Sequence, residues 1–112
     1  SNPNEIVEDN RATPDMVAVN AAEEPRLIIE IKYKPIKGSP DRPDINQVVT
    51  YATVYGCDNA MLVFPRRKGG HHGFLKLGAV GAVNLSAYYF DLGAIDLPLE
   101  ERDFADCIAG HI

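Results

Sequence analysis

A chain of 112 residues, 46% of them hydrophobic, is long enough for one domain with a modest core. No apolar run approaches the roughly 20 residues needed to cross a bilayer. The net charge of −5 is unevenly placed, because nine Lys/Arg stand against four acidic residues from Arg26 to Lys76 while the rest is acidic. A basic middle can contact a phosphate backbone, although scattered solubilising charge explains the same distribution. Two widely spaced cysteines without metal-ligand spacing indicate reduced thiols and a cytoplasmic location.

The first part of the chain predicts a two-stranded hairpin. Residues 1–12 show no periodicity and are expected to be a flexible lead-in, followed by one domain over residues 13–112. Met16–Val19 is a short β-type run, and Arg26–Lys34 is the strongest strand signal in the chain. The turn-like residues 20–25 between these runs predict that the two strands pair.

A helix is predicted after the proline-containing loop at 35–40. It begins near Asp41 or Arg42, with Pro43 in the first turn and Asp44 near the positive end of the helix dipole. Gly56 is expected to end it. Its buried stripe consists of Ile45, Val48, Val49 and Ala52.

The second half predicts three strands and a terminal helix. Ala60–Phe64 is nearly all apolar, which is typical of a central strand buried on both faces. The basic, glycine-rich residues 66–73 are interpreted as the tip of a hairpin leading to Phe74–Val80, and another strand follows at about 85–92. A last helix runs from Pro98 to Gly110. The order β-β-α-β-β-β-α predicts an α/β or α+β fold with a mixed sheet.

Side chains that could carry chemistry lie on the second strand. Alternation places Leu27, Ile29, Ile31 and Tyr33 on a core face. Glu30, Lys32 and Lys34 then share the opposite face, which also suits an ordinary solvated strand. Asp15 directly precedes the first strand, so a hairpin would bring it beside Glu30.

This arrangement predicts a magnesium site. Mg²⁺ takes oxygen ligands and is usually held by one or two carboxylates. Asp15, Glu30 and the backbone carbonyl of Ile31 would supply them, and Mn²⁺ would substitute. Lys32 would orient the attacking water or stabilise charge that develops on a phosphate.

Two motifs resemble a known nuclease superfamily. Pro14-Asp15 followed by Glu30-Ile31-Lys32 resembles the PD-(D/E)xK nucleases, and the helical pair Gln47-x-x-x-Tyr51 resembles their RecB-like branch. The order of T-P-D-M-V (13–17), I-I-E-I-K-Y-K (28–34), D-I-N-Q-V-V-T-Y-A (44–52) and M-L-V-F-P (61–65) is most similar to the McrC-type nuclease subunits of modification-dependent restriction systems. Family members more often have Asp at the position of Glu30.

The resemblance implies a restriction-endonuclease-like mixed central sheet flanked by helices. It also implies a Mg²⁺-dependent DNA endonuclease with a catalytic set of Asp15, Glu30, Lys32, Gln47 and Tyr51. Such domains usually carry a helix before the first strand, so residues 1–12 would be its remnant. The implied partners are DNA, an AAA+ GTPase motor subunit (McrB-like) and, during cleavage, a second copy of the chain.

Other interpretations remain open. Lys34, Arg66, Arg67 and Lys68 are candidate contacts to DNA phosphates, and the last three equally suit a solvated hairpin tip. The alternatives in function are a RecB-like exonuclease or repair nuclease, and a catalytically inactive nuclease fold that serves as a DNA-binding or assembly module. A small α/β protein of unrelated function would place Asp15 and Glu30 far apart.

Overall fold

The computed structural model describes residues 13–112, which form a mixed sheet and two helices. In chain order the elements are β1 (Met16–Val19), β2 (Pro25–Ile31), α1 (Arg42–Val54), β3 (Asn59–Pro65), β4 (Gly73–Val80), β5 (Val83–Phe90) and α2 (Leu97–Ala109). The predicted element order and the α+β class are confirmed. The lead-in predicted at residues 1–12 lies outside the described residues.

The five strands lie in the order β1-β2-β3-β5-β4. β1 pairs with β2 and β4 pairs with β5 in antiparallel fashion, whereas β2, β3 and β5 run parallel. The hairpin predicted between β3 and β4 is therefore wrong, because β5 is inserted between them. Residues 66–72 instead cross over the carboxyl end of β5. The tight hairpin joins β4 to β5 and has Gly81 at a φ of 60°, which glycine adopts without strain.

Local sequence signals account for α1. The Asp41 side chain caps the helix by accepting the Asp44 N–H at 3.3 Å, and Pro43 occupies the first turn, where no backbone donor is needed. Gly56, at a φ of 64°, follows the end of the helix. The predicted stripe is confirmed, since Val48 and Ala52 are fully buried and the other two members pack against the core.

The core has two layers, one on each face of the sheet. Ile28, Leu62 and Tyr89 lie on the α1 face, and Met61 and Tyr88 lie on the α2 face. β3 contributes fully buried side chains to both layers, as its apolar sequence predicts.

β2 is shorter than predicted, ending at Ile31 rather than at Lys34. Lys32 still donates its N–H to the Val63 carbonyl, at 2.8 Å, but the neighbouring strand β3 then ends at a proline that cannot donate a ladder bond. The placement of Tyr33 on the core face is consequently wrong, because this side chain is 86% exposed. Lys34 likewise lies outside the strand, in the exposed segment that leads to Pro35.

Both helices of the described residues, 13–112, are too short and too polar to cross a membrane. The two cysteines are free thiols. Cys57 is buried and its thiol donates to the Asn59 carbonyl at 3.4 Å, so it contributes to packing between α1 and β3.

Candidate active site

The predicted acidic residues lie at one edge of the sheet. The carboxyl ends of the parallel strands β2, β3 and β5 meet there, which is where open α/β sheets usually place ligands. Because β1 runs antiparallel to β2, the residue before β1 lies at the same edge. The strand pairing of Met16 with Ile29 sets Asp15 opposite Glu30.

Asp15 is joined to Glu30 by one short hydrogen bond and to Ile31, the next residue of β2, by another. The Asp15 N–H donates to Glu30 Oε1 at 2.7 Å, and the Ile31 N–H donates to Asp15 Oδ2 at 2.7 Å. The predicted juxtaposition of the two acidic residues is confirmed. The expectation attached to an unrelated α/β protein, that they lie far apart, is wrong.

The surroundings of Glu30 disfavour its charge. Its side chain is 8% exposed, and burial raises its pKa above the ordinary value of 4.5. The hydrogen bond from Asp15 acts in the opposite direction, while the nearby Asp15 charge raises the pKa further. A cation placed between the two carboxylates would relieve both the burial penalty and the repulsion.

The two carboxylates retain oxygens that a cation could use. Within residues 13–112, neither Asp15 Oδ1 nor Glu30 Oε2 has a hydrogen-bond partner. The N–H and C=O of one strand residue point the same way, so the Ile31 carbonyl lies on the side where its N–H meets Asp15. This set of two carboxylates and one carbonyl fits the chemistry of a Mg²⁺ ion that keeps most of its waters.

No group of three His, Cys, Asp or Glu residues in the described part of the chain is close enough to hold a metal ion. Asp44 is the next acid at this edge, but its carboxylate is occupied. Lys32 Nζ lies 2.7 Å from Asp44 Oδ1. Among residues 13–112 the protein donors would therefore be limited to Asp15, Glu30 and the Ile31 carbonyl.

Lys32 is held at the start of α1. Its ion pair with Asp44 raises the pKa of the ammonium above its ordinary value, and the charge of Glu30 adds to the effect. The amine therefore stays protonated at neutral pH. It can present a positive charge to an anionic substrate.

Gln47 and Tyr51 share a face of α1, as their spacing predicts. Gln47 Nε2 donates to the Tyr51 hydroxyl at 3.2 Å. Tyr51 is buried in the same core layer as Ile28, which lies on the face of β2 that carries Glu30. The structure thus brings the helical pair to the same side of the sheet as Glu30.

The predicted DNA contacts lie in two loops at this edge. Lys34 is exposed in the segment after β2, and Arg67 and Lys68 are exposed in the loop that crosses β5. Arg66 is less available, because its Nε donates to the Gly70 carbonyl at 3.1 Å and its guanidinium lies 3.9 Å from Asp91. The interpretation of residues 66–68 as a hairpin tip is wrong, since they begin a crossing connection.

A buried acidic residue near this loop escaped the sequence interpretation. Glu100, in the first turn of α2, is 4% exposed and lies 2.8 and 2.9 Å from His72 Nε2 through its two oxygens. It also accepts the Asp91 N–H at 2.8 Å. These bonds fasten the crossing loop and the end of β5 to α2. The sequence indicated only that Glu100 is an acidic residue in the first turn of a helix. That pattern does not predict a contact with His72, which is 28 residues away in the chain.

The chain matches no protein-family model, and comparisons with curated proteins and with solved structures find no significant match.

Proposed function

We propose that this chain is the Mg²⁺-dependent DNA endonuclease domain of a McrBC-like restriction system, and that it hydrolyses phosphodiester bonds. The observation that carries the proposal is the pair Asp15 and Glu30 at the carboxyl edge of the sheet, where each keeps one oxygen free of partners among the described residues. A buried carboxylate with a raised pKa beside a second carboxylate is a common feature of functional sites.

Each residue has a distinct part in this proposal. Asp15, Glu30 and the Ile31 carbonyl hold the metal ion. A bound Mg²⁺ supplies Lewis-acid activation of water and neutralises phosphate charge. Lys32, kept protonated by Asp44, stabilises the negative charge that grows on the phosphate during attack. Gln47 and Tyr51 fix the position of α1 relative to this edge and help to orient the substrate.

The motif order supports a McrC-type subunit in particular. An AAA+ GTPase motor would then be the partner, and the target base of the restriction system would be recognised by another subunit. Cleavage of both strands would bring two copies of this domain together. Exposed cations on the loops beside the site support DNA as the substrate.

One alternative has a specific observation in its favour. The described residues offer two carboxylates rather than three, and Lys32 is engaged by Asp44. Both facts suit a catalytically inactive nuclease fold that is retained as a DNA-binding or assembly module. Such a module would bind DNA without needing a metal ion.

The test combines metal binding with cleavage. Calorimetric titration with Mn²⁺ should show binding to the unsubstituted chain and its loss in Asp15→Asn and Glu30→Gln. Asp58→Asn is the matched control, because Asp58 is exposed at the opposite edge of the sheet. Cleavage of a closed circular plasmid in Mg²⁺ separates an endonuclease from an exonuclease, which needs an end. Binding of DNA without binding of Mn²⁺ would overturn the nuclease proposal in favour of the inactive module.

A further inference from the structure

A cleft of about 300 Å³ opens on the α1 face of the sheet, between the two loops at its carboxyl edge. We call it the loop cleft. Its lining includes Ile36, Ser39, Arg67, Leu75, Leu77 and Tyr89. This volume is at the lower end of the range for small-ligand pockets, so the loop cleft suits one compact group.

The two loops that flank the cleft are basic and free of acids. Residues 33–40 contain Lys34 and Lys37, and residues 66–72 contain Arg67, Lys68 and Arg66, the last of which is paired with Asp91. No Asp or Glu occurs in either segment, although the chain as a whole carries a charge of −5. This segregation makes the rim of the cleft complementary to a polyanion.

The interior of the cleft has a different chemistry. Leu75, Leu77 and Ile36 supply apolar walls, and the ring of Tyr89 is 8% exposed and stacked on Phe64, with centroids 5.8 Å apart. The Tyr89 hydroxyl has no hydrogen-bond partner among the described residues and is not enclosed, so solvent reaches it. A cleft that combines these apolar walls with the polar side chains of Ser39 and Arg67 is suited to a flat heterocycle with hydrogen-bonding edges.

The loop cleft lies on the same face of the sheet as Glu30. Phe64 pairs with Tyr89 and Leu62 pairs with Glu30, so the face is continuous from β2 through β3 to β5. Two strand spacings across the sheet and two residues along it separate Glu30 from Tyr89, which is about 12 Å. Three to four stacked nucleotides, at about 3.4 Å each, advance the same distance along one DNA strand.

We propose that the loop cleft binds one unpaired nucleobase of a DNA strand, with the flanking phosphates on the two basic loops. The preferred substrate would then contain a single-stranded or extrahelical nucleotide about three to four positions from the cleaved bond. This inference rests on the proposed function in taking DNA as the ligand. It does not depend on metal binding.

The test measures affinity for DNA in EDTA, where no cleavage occurs. Two fluorescein-labelled duplexes of the same sequence are compared by anisotropy, one fully paired and one with a single unpaired nucleotide. The unsubstituted chain should bind the second about tenfold more tightly, since a hydrogen bond and apolar burial together are worth about 1.4 kcal/mol. Ser39→Trp, which fills the cleft from an exposed rim position, should abolish the preference.

A pair of neighbouring tyrosines provides the matched control. Tyr89→Phe removes the hydroxyl of a residue that lines the cleft and should reduce the preference about fivefold, the value of one hydrogen bond. Tyr88→Phe makes the same change on the opposite face of β5 and should leave the preference intact. Thermal melts establish that each variant is folded.

The outcomes separate this inference from the nuclease proposal. Equal affinity of the unsubstituted chain for both duplexes would overturn the inference, as would a preference that survives in both Ser39→Trp and Tyr89→Phe. Mg²⁺-dependent cleavage without the preference would leave the nuclease proposal standing and overturn this one. The preference without any cleavage would support the loop cleft and overturn the nuclease proposal.

Discussion

Replacing Glu30 by glutamine removes a charge from a buried position while keeping an oxygen that can accept the Asp15 N–H. Like charges directly opposite on neighbouring strands destabilise by roughly 0.2–1 kcal/mol, and the burial of Glu30 adds to that cost. The raised pKa of Glu30 shows that these effects exceed the gain from its charged hydrogen bond. We expect Glu30→Gln to be about 1 kcal/mol more stable than the unsubstituted chain at pH 7 without metal. For a chain of this size that is about 4 °C in Tm.

The pH dependence has a definite sign. Since burial raises the pKa of Glu30 in the folded chain above 4.5, the folded state holds a proton there that the unfolded state has already lost. This carboxyl group therefore makes stability fall as the pH rises from about 4.5 through its raised pKa. The glutamine does not titrate, so the stability advantage of the variant should be small below pH 4.5 and should grow toward pH 7.

Calorimetric or circular-dichroism melts at several pH values, from about pH 4 to about pH 8, measure the difference in stability between Glu30→Gln and the unsubstituted chain. Saturating Mn²⁺ should reverse the order, because ligand at a hundred times Kd stabilises by about 2.7 kcal/mol and the variant has lost a ligand. Asp58→Asn, at an exposed position, should show neither effect. A difference that stays flat with pH, or a Gln variant less stable at pH 7, would refute the reasoning on burial and repulsion.

Three other substitutions test particular contacts. Asp44→Asn should lower the pKa of Lys32, because the hydrogen bond to Asp44 is the largest cause of the raised pKa. An NMR titration of the ammonium group measures this pKa, and an unchanged midpoint would contradict the prediction. The pKa of Tyr88 is raised to about 12, mainly by burial and next by the charge of Glu100. Glu100→Gln should lower the pKa of Tyr88, which an ultraviolet titration measures. A midpoint that does not fall would show that the Glu100 carboxylate has no effect on the Tyr88 hydroxyl. Phe64→Ala should cost about 3–5 kcal/mol in chemical denaturation, since the ring is 1% exposed, and a loss below about 1 kcal/mol would contradict tight packing.

Local signals in the sequence were sufficient for most elements. α1 could be predicted because its cap, its first-turn proline and its terminal glycine all act within a few residues. The apolar run of β3 indicated a strand buried on both faces for the same reason. The pairing of Asp15 with Glu30 could also be predicted, because a hairpin joins strands that are adjacent in sequence.

Features that depend on distant pairings could not be predicted in this way. The insertion of β5 between β3 and β4 is decided by which strands bury the most apolar surface together, and nothing within residues 66–73 reports it. The exposure of Tyr33 follows from the end of the neighbouring strand, a property of β3 rather than of the local alternation. The contact of His72 with Glu100 and the loop cleft arise from the same crossing connection.

The sequence by itself determined the elements, the central strand, the two acidic residues of the candidate site and their meeting across a hairpin. Only the tertiary structure decided that Lys32 is tied to Asp44, that the loop 66–72 crosses the sheet edge, and that a cleft opens between two basic loops. The physical reason is the distance along the chain over which each kind of interaction acts. Caps, turns and alternation act over a few residues, whereas strand order and side-chain pairing depend on the packing of segments that are far apart in the chain.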